Sequence, residues 1–214
     1  MRPPYRPHGL GLSLSVFPGR VGAMKPAVRR RIQHIRCLLL DVDGVLTDGK
    51  LHFTSDGKEF KSFDALDGHG IKMAQRAGLL VGFVSGRHSE ATTNRAADLE
   101  VNILKQSPVN KAELMAEVQR EHHLAAEEIA FVGDELVDLP AMRLAGLAVA
   151  VANAVPEVKK IAHYVTRRRG GDGAVREVIE MILKARGLWQ KVTARYMVML
   201  TAALLTAGIV CTPP

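Results

Sequence analysis

Leu38-Leu39-Leu40-Asp41-Val42-Asp43-Gly44-Val45-Leu46-Thr47-Asp48 is the stretch whose reading decides the fold of this chain. An apolar run stops at a carboxylate, a second carboxylate follows two residues on, and a glycine lets the chain turn. Such a run reads as a buried strand delivering Asp41 and Asp43 to the carboxyl edge of a sheet. Two carboxylates this close repel each other unless a cation or a phosphoryl group holds them. A lone Asp-x-Asp is compatible with a simple acidic turn, so the reading rests on what the rest of the chain brings to that edge.

Downstream, the pattern recurs. Leu79 to Val84 reads as a second buried strand ending at Ser85-Gly86-Arg87, and Ile129 to Val132 as another ending at Gly133-Asp134-Glu135-Leu136-Val137-Asp138. Val101–Leu104, Leu147–Val151 and Tyr164–Val165 are further short strands. Between them the spacing predicts helices over His69–Ala77, Ser89–Leu99, Lys111–His122, Leu139–Ala145, Val155–Ala162 and Ala174–Arg186. Strands alternating with helices predict an α/β fold: a parallel sheet with helices on both faces. Ligands of such sheets sit outside the carboxyl ends of the strands. There the sequence places Asp41, Asp43, Ser85, Asp134 and Asp138, with Lys111 opening a helix that follows another strand.

With 47% hydrophobic and 24% charged residues, the chain suits one globular domain with some tail. Its formal charge of +7 is not spread evenly. Residues 1–36 hold eight Lys and Arg and no Asp or Glu, which leaves the remainder at −1. The body therefore has no composition suited to nucleic acid. Residues 1–31 are expected to be a largely disordered basic extension, 32–195 the folded domain and 196–214 an apolar extension; Arg29-Arg30-Arg31 reads as the solvated face of a short helix. Cys37 and Cys211 form no framework or metal spacing, which favours a reducing, cytoplasmic setting.

The assembled residues suit phosphoryl transfer. Asp41 can attack phosphorus to give an aspartyl-phosphate, and Asp43 can protonate the leaving oxygen and then activate water. Asp41, the Asp43 backbone carbonyl and Asp134 would suit octahedral Mg²⁺. Ser85 would donate to a phosphoryl oxygen and Lys111 would neutralise developing charge. Asp138, one helical turn beyond Asp134, would orient the others from behind. Singly, a Ser85 is commonly a helix cap and a Lys111 a solvated helix start; the set changes that reading.

The order Asp41-x-Asp43-Gly44, Ser85-Gly86-Arg87, Lys111, Gly133-Asp134-x-x-x-Asp138 resembles the haloacid dehalogenase superfamily of phosphatases, with a Rossmann-like fold. Closer still is its 3-deoxy-D-manno-octulosonate 8-phosphate (KDO 8-phosphate) phosphatase branch. That likeness is carried by Asp41 to Gly49, Phe63 to Ile71, Val84 to Arg87, Asn110-Lys111, Val132 to Met142, Tyr164-Val165-Thr166 and Gly170-Gly171-Asp172-Gly173-Ala174-Val175-Arg176-Glu177. The resemblance implies a Mg²⁺ cofactor, a sugar-acid phosphate substrate in lipopolysaccharide biosynthesis, and substrate contacts at Asp43, Asp64, Ala65, Leu66, Asp67, Gly68, Lys72, Arg87, Arg95 and Lys111. It also implies a homotetramer. Leu66 stands where some relatives have Arg, which keeps a nonulosonate 9-phosphate open as the substrate. A non-catalytic module and a phospho-receiver are the other readings; the intact Asp41, Asp43, Lys111 and Asp134 argue against the first, and the early position of Asp41 against the second.

Neither Gly44–Val84 nor Ala112–Gly133 leaves room for a cap domain. Lys50–Phe63 instead reads as a hairpin about Asp56-Gly57, with Leu51, Phe53, Phe60 and Phe63 more apolar than a lone flap should be. The expectation is that hairpins pair between subunits and roof the sites. Met197 to Cys211 carries no charge; a membrane anchor, an oligomer-packing helix and a shifted gene end are all open readings of it.

Overall fold

A computed structural model of the chain describes residues 24–108 and 110–196. Helix α1 (Pro26–His34) leads into β1 (Cys37–Leu40), followed by a hairpin of β2 (His52–Phe53) and β3 (Glu59–Phe60). Then come α2 (Ala65–Arg76), β4 (Leu80–Ser85), α3 (Glu90–Asp98), β5 (Ile103–Gln106) and α4 (Lys111–His122). The second half runs β6 (Ile129–Gly133), α5 (Leu139–Leu144), β7 (Leu147–Ala150), α6 (Pro156–Ile161), β8 (Tyr164–Val165) and α7 (Ala174–Ala185). Six strands form a parallel sheet in the order β5-β4-β1-β6-β7-β8, and β2 and β3 pair separately.

β1 is the centre of this sheet, fully buried along its length, which is why its sequence is continuously apolar. Leu40 lies opposite Phe83 of β4 and Val132 of β6, and the Asp41 amide continues the ladder to the Val132 carbonyl at 3.0 Å. From β1 the chain crosses first to β4 on one side and later to β6 on the other. The carboxyl end of β1 is therefore the topological switch point of the sheet. Asp41, Ser85 and Asp134 arrive at this one edge because the register aligns the ends of their strands.

α2 begins four residues earlier than its apolar spacing predicts. Asp64 caps it, its Oδ1 accepting from the Leu66 amide at 2.5 Å and the Asp67 amide at 3.2 Å. α7 lays Val175, Val178, Ile179 and Ile182 into the core and packs along α2. Its N-cap is Gly173, which has no side chain to satisfy the first amides. Asp67 of α2 supplies the acceptor instead, with Oδ1 2.7 Å from the Arg176 amide.

That cap has a cost. Burial, above all, pushes the Asp67 carboxyl up from 3.8 to about 6. An acid whose folded pKa is raised destabilises the fold once ionised, and the penalty grows as pH rises from about 4 to about 6. At about 1.4 kcal/mol per pH unit, a rise from 3.8 to about 6, already net of the contacts with the α7 terminus, is a penalty on the order of 3 kcal/mol. Asp67→Asn, whose carbonyl oxygen still accepts from Arg176, is expected to match the parent near pH 4 and melt higher than it at pH 7. Thermal melts of both proteins across that range check this.

The folded body starts before residue 32. α1 buries Val28 and Ile32 while Arg29, Arg30 and Arg31 face outward, and Arg31 reaches the Gly146 carbonyl at 2.8 Å. At the other end, residues 189–196 are helical, and the Tyr196 hydroxyl meets His69 Nε2 and Arg76 Nη1, each at 2.7 Å. Residues 1–23 and the apolar run from 197 lie outside the described residues. Among the described residues no helix is long and apolar enough to cross a membrane.

Candidate active site

Lys111 is placed by a helix start. The Asn110 side chain accepts from the Ala112 amide at 2.9 Å, which opens α4 with Lys111 as its first residue. Its buried ammonium donates to Asp41 Oδ1 at 2.5 Å and to Asp138 Oδ1 at 2.6 Å. Asp138 Oδ2 in turn accepts from the amides of Asp134 at 2.9 Å and Glu135 at 3.1 Å. Both oxygens of Asp138 are thus committed: it holds Lys111 with one and shapes the loop after β6 with the other.

One ammonium does not balance three acids. Oxygens of Asp41, Asp134 and Asp138 lie within 4.8 Å of one another. Burial, then the charge of Asp138, drives the Asp41 carboxyl well above the usual carboxylate range, against the pull of Lys111. Burial and Asp138 likewise push Asp134 up to about 6. Burial would depress the Lys111 ammonium, but Asp41 and Asp138 outweigh it and the net direction is up. Asp134 Oδ1 is buried with no hydrogen-bond partner among the described residues. A concentrated negative charge with an unpartnered buried oxygen fits a hard divalent cation that prefers oxygen ligands. Because Asp138 is spent on Lys111 and the loop amides, Asp41 and Asp134 are the side chains left to hold it. Gly44 is needed beside them: its φ is +96°, and a Cβ there would fall 2.0 Å from Asp134 Oδ2.

Asp43 takes no part in that cluster with its side chain. Oδ1 accepts from Lys61 Nζ at 2.5 Å and Oδ2 from Arg87 Nε at 3.2 Å, while Arg87 Nη2 also pairs with Glu59. Ser85, at the end of β4, uses its hydroxyl to close the turn around Arg87, donating to the Arg87 carbonyl at 3.0 Å and accepting from its amide at 3.3 Å.

The loop carrying Gly44 is held from behind. Asn153 donates to the Gly44 carbonyl at 2.9 Å and accepts from the Gly170 amide at 2.6 Å. Gly170 sits so close that a Cβ would lie 1.8 Å from the Gly44 carbonyl oxygen, which is rigid backbone. Gly170→Ala is therefore expected to displace the loop between Asp43 and Asp48, destabilising by about 2–3 kcal/mol and cutting turnover at least about tenfold. A melt combined with phosphate-release kinetics checks both halves.

A haloacid dehalogenase-like hydrolase family model matches residues 103–179. The chain is 41% identical over 177 residues to the 3-deoxy-D-manno-octulosonate 8-phosphate phosphatase KdsC of Escherichia coli K12, covering 83% of this chain and 93% of that one. The chain belongs to this phosphatase family. A crystal structure of a probable YrbI family phosphatase from Pseudomonas syringae pv. phaseolica superposes with a TM-score of 0.78 at 41% identity, over 80% of this chain and 97% of that one. The Moraxella catarrhalis 3-deoxy-D-manno-octulosonate 8-phosphate phosphatase, solved with magnesium, phosphate and KDO, superposes with a TM-score of 0.77 at 32% identity, over 79% of this chain and 97% of that one.

Within this phosphatase fold, the residues expected to touch substrate separate into groups. Arg87 and Lys111 stand at the edge with Asp41 and Asp43. Asp64 is the cap of α2, Ala65 and Leu66 are exposed on its first turn, and Asp67 turns inward to α7. Gly68 lets the Arg95 guanidinium approach: a Cβ there would meet Arg95 Nη2 at 2.2 Å. Arg95 itself pairs with Asp98 at 2.7 Å and lies 5.7 Å from the Phe63 ring centre. Lys72 ties α2 to the end of α3 through the Leu99 carbonyl at 3.0 Å and Glu100 at 2.5 Å. Glu59, Lys61 and Asn153 were not anticipated. Glu59 and Lys61 read as the polar side of a hairpin and Asn153 as a loop residue, so only the tertiary contacts reveal them.

Proposed function

We propose that this chain hydrolyses 3-deoxy-D-manno-octulosonate 8-phosphate to KDO and phosphate, a step toward lipopolysaccharide, through an aspartyl-phosphate on Asp41. The single observation carrying this reading is Lys111, buried and bonded to both Asp41 and Asp138 at the switch point of a family whose relatives bear that activity in their names. Asp41 attacks phosphorus, Lys111 holds it in line and offsets charge on the transferred group, and the Ser85 hydroxyl turns from the Arg87 carbonyl to donate to a phosphoryl oxygen. Asp43 gives a proton to the leaving sugar oxygen and later takes one from the attacking water. Mg²⁺, held by Asp41, Asp134 and the Asp43 backbone carbonyl, supplies the positive charge that lets a carboxylate approach a phosphate dianion. Arg87 and Arg95 answer the negative charge of the sugar acid and its phosphate, and Asp64 to Gly68 and Lys72 form the wall on that side. We place the reaction in the cytoplasm, a reducing setting that suits a chain whose two cysteines, Cys37 and Cys211, form no disulfide framework.

A phosphate-release panel with Mg²⁺ tests the substrate. KDO 8-phosphate is expected to exceed plain hexose phosphates by at least about tenfold in kcat/KM, the worth of one good charged contact. Equal turnover across hexose phosphates would defeat the sugar-acid assignment. Leu66, exposed on the first turn of α2, favours testing a nonulosonate 9-phosphate in the same panel.

The hairpin supports an assembled enzyme. Leu51, Phe53 and Phe60 project into solvent, Phe53 with 60% of its surface exposed, which is costly on a two-stranded flap. Pairing of hairpins between subunits, in a tetramer, would bury them and roof the site. Gel filtration is expected to give a mass about four times that of the chain, and a Phe53→Asp, Phe60→Asp variant to elute as a smaller species with raised KM; a parent eluting as monomer would sink the idea.

A further inference from the structure

We propose that Lys61, on the flap hairpin, is a positioning residue for Asp43: it anchors Asp43 Oδ1 and leaves Oδ2 as the oxygen that exchanges the proton. The proposal rests on the phosphatase reading above and adds a residue to it.

Lys61 does not behave as a flap lysine. Its side chain is 1% exposed, although its neighbour Phe60 is 51% exposed on the same hairpin. Side chains alternate along an extended segment, so Glu59 and Lys61 share one face and Phe60 takes the other. The shared face is turned to the catalytic edge. Lys61 Nζ is 2.5 Å from Asp43 Oδ1 and 3.9 Å from Glu59 Oε1. Arg87 closes the ring, its Nε 3.2 Å from Asp43 Oδ2 and its Nη2 on Glu59. A buried ammonium is retained only where acceptors repay its lost hydration, and Asp43 and Glu59 are the acceptors here.

The two cations on Asp43 have different prospects. Arg87 is 39% exposed and faces where an anionic substrate must enter; Lys61 is sealed. When Arg87 turns to a substrate anion, Oδ2 is released while Oδ1 stays on Lys61. Asp43 then keeps its rotamer with one oxygen free. As Asp41 forms its bond to phosphorus, the phosphorus–oxygen bond to the sugar breaks. The electron pair stays on the leaving oxygen, which takes a proton that Oδ2, once free of Arg87, has picked up from water. Without Lys61 the carboxyl is untethered at the moment Arg87 leaves it, and misplacement on the order of 1 Å can cost about 10²-fold.

Leaving-group chemistry separates this role from a structural one. An alkyl phosphate needs protonation of its leaving oxygen; p-nitrophenyl phosphate departs as a stable phenolate without it. In Lys61→Met, kcat/KM for KDO 8-phosphate is expected to fall about 10²-fold, and that for p-nitrophenyl phosphate by less than about fivefold. Lys61→Arg, which keeps a cationic donor, is expected to restore most of the loss on the alkyl ester. Equal losses on both esters, or no rescue by arginine, would overturn the positioning role while leaving the phosphatase reading intact. A parent protein inert toward every phosphate ester would overturn both.

Discussion

Asp41→Asn is expected to abolish phosphate release, by on the order of 10⁴-fold or more, because the other carboxylates at the edge have other work: Asp134 is the one left to hold the metal, and Asp138 and Asp43 are bonded elsewhere. Asp138 has both oxygens bonded and Asp43 is held by Lys61 and Arg87. The same substitution is expected to stabilise the metal-free protein. Burial and Asp138 raise the Asp41 pKa, so the ionised carboxylate is a penalty at neutral pH that is relieved only as pH falls. The amide removes that penalty, and Lys111 keeps Asp138 as its partner. A higher melting temperature than the parent at pH 7 in a chelator follows. Added Mg²⁺ should then raise the melting temperature of the parent more than that of the variant, since ligand binding to the native state stabilises it. Residual phosphate release above about 1% of the parent would remove Asp41 as the nucleophile; a variant less stable than the parent in chelator would contradict the electrostatic account.

Lys111→Met is expected to have the largest combined effect. It removes the one ammonium shared by Asp41 and Asp138, both buried, and leaves their charges facing each other. Breaking such a buried arrangement from one side costs about 3–5 kcal/mol. Because ionised Asp41, whose carboxyl burial holds above the usual range, then faces Asp138 without the lysine, the loss should shrink as pH falls and Asp41 protonates. Activity should be lost with it, since the lysine is also proposed to offset charge on the transferred group. A denaturant titration at pH 5 and pH 8 reads the first effect and phosphate release the second. A variant as stable as the parent at pH 8 would mean that Asp41 is already neutral there. Asp138→Asn keeps one acceptor oxygen for Lys111 but turns an NH2 toward the Asp134 and Glu135 amides, so it too is expected to destabilise and to shift the loop after β6.

The fold was legible because its signals are local. Leu38 to Leu40 is apolar on both faces since β1 is covered on both, and an apolar run that stops at Asp-x-Asp suits a central strand opening onto a polar edge. Lys111, Asp134 and Ser85 were legible for a related reason: each stands at or beyond the end of a strand, and in a parallel sheet those ends share one edge. The start of α2 was misplaced because Asp64 acts as a cap through a side-chain acceptor that hydrophobic spacing does not register. Glu59 and Lys61 were missed since a hairpin with a polar residue at every second position looks solvent-facing on that side. Which way the hairpin folds is set by Arg87 and Asp43, distant in sequence.

By itself, then, the sequence determined the order of strands and helices, the central place of Asp41 and Asp43, and the family in which that order recurs. Those features depend on side-chain period and on residues at strand ends, both written along the chain. Tertiary structure decided the division of labour among the acids. Asp138 is committed to Lys111 and the loop amides, Asp134 is left with an unpartnered oxygen, and Asp43 is turned to the flap. These roles follow from which donors reach which oxygens in a buried, crowded edge, and no spacing rule along the chain carries that information.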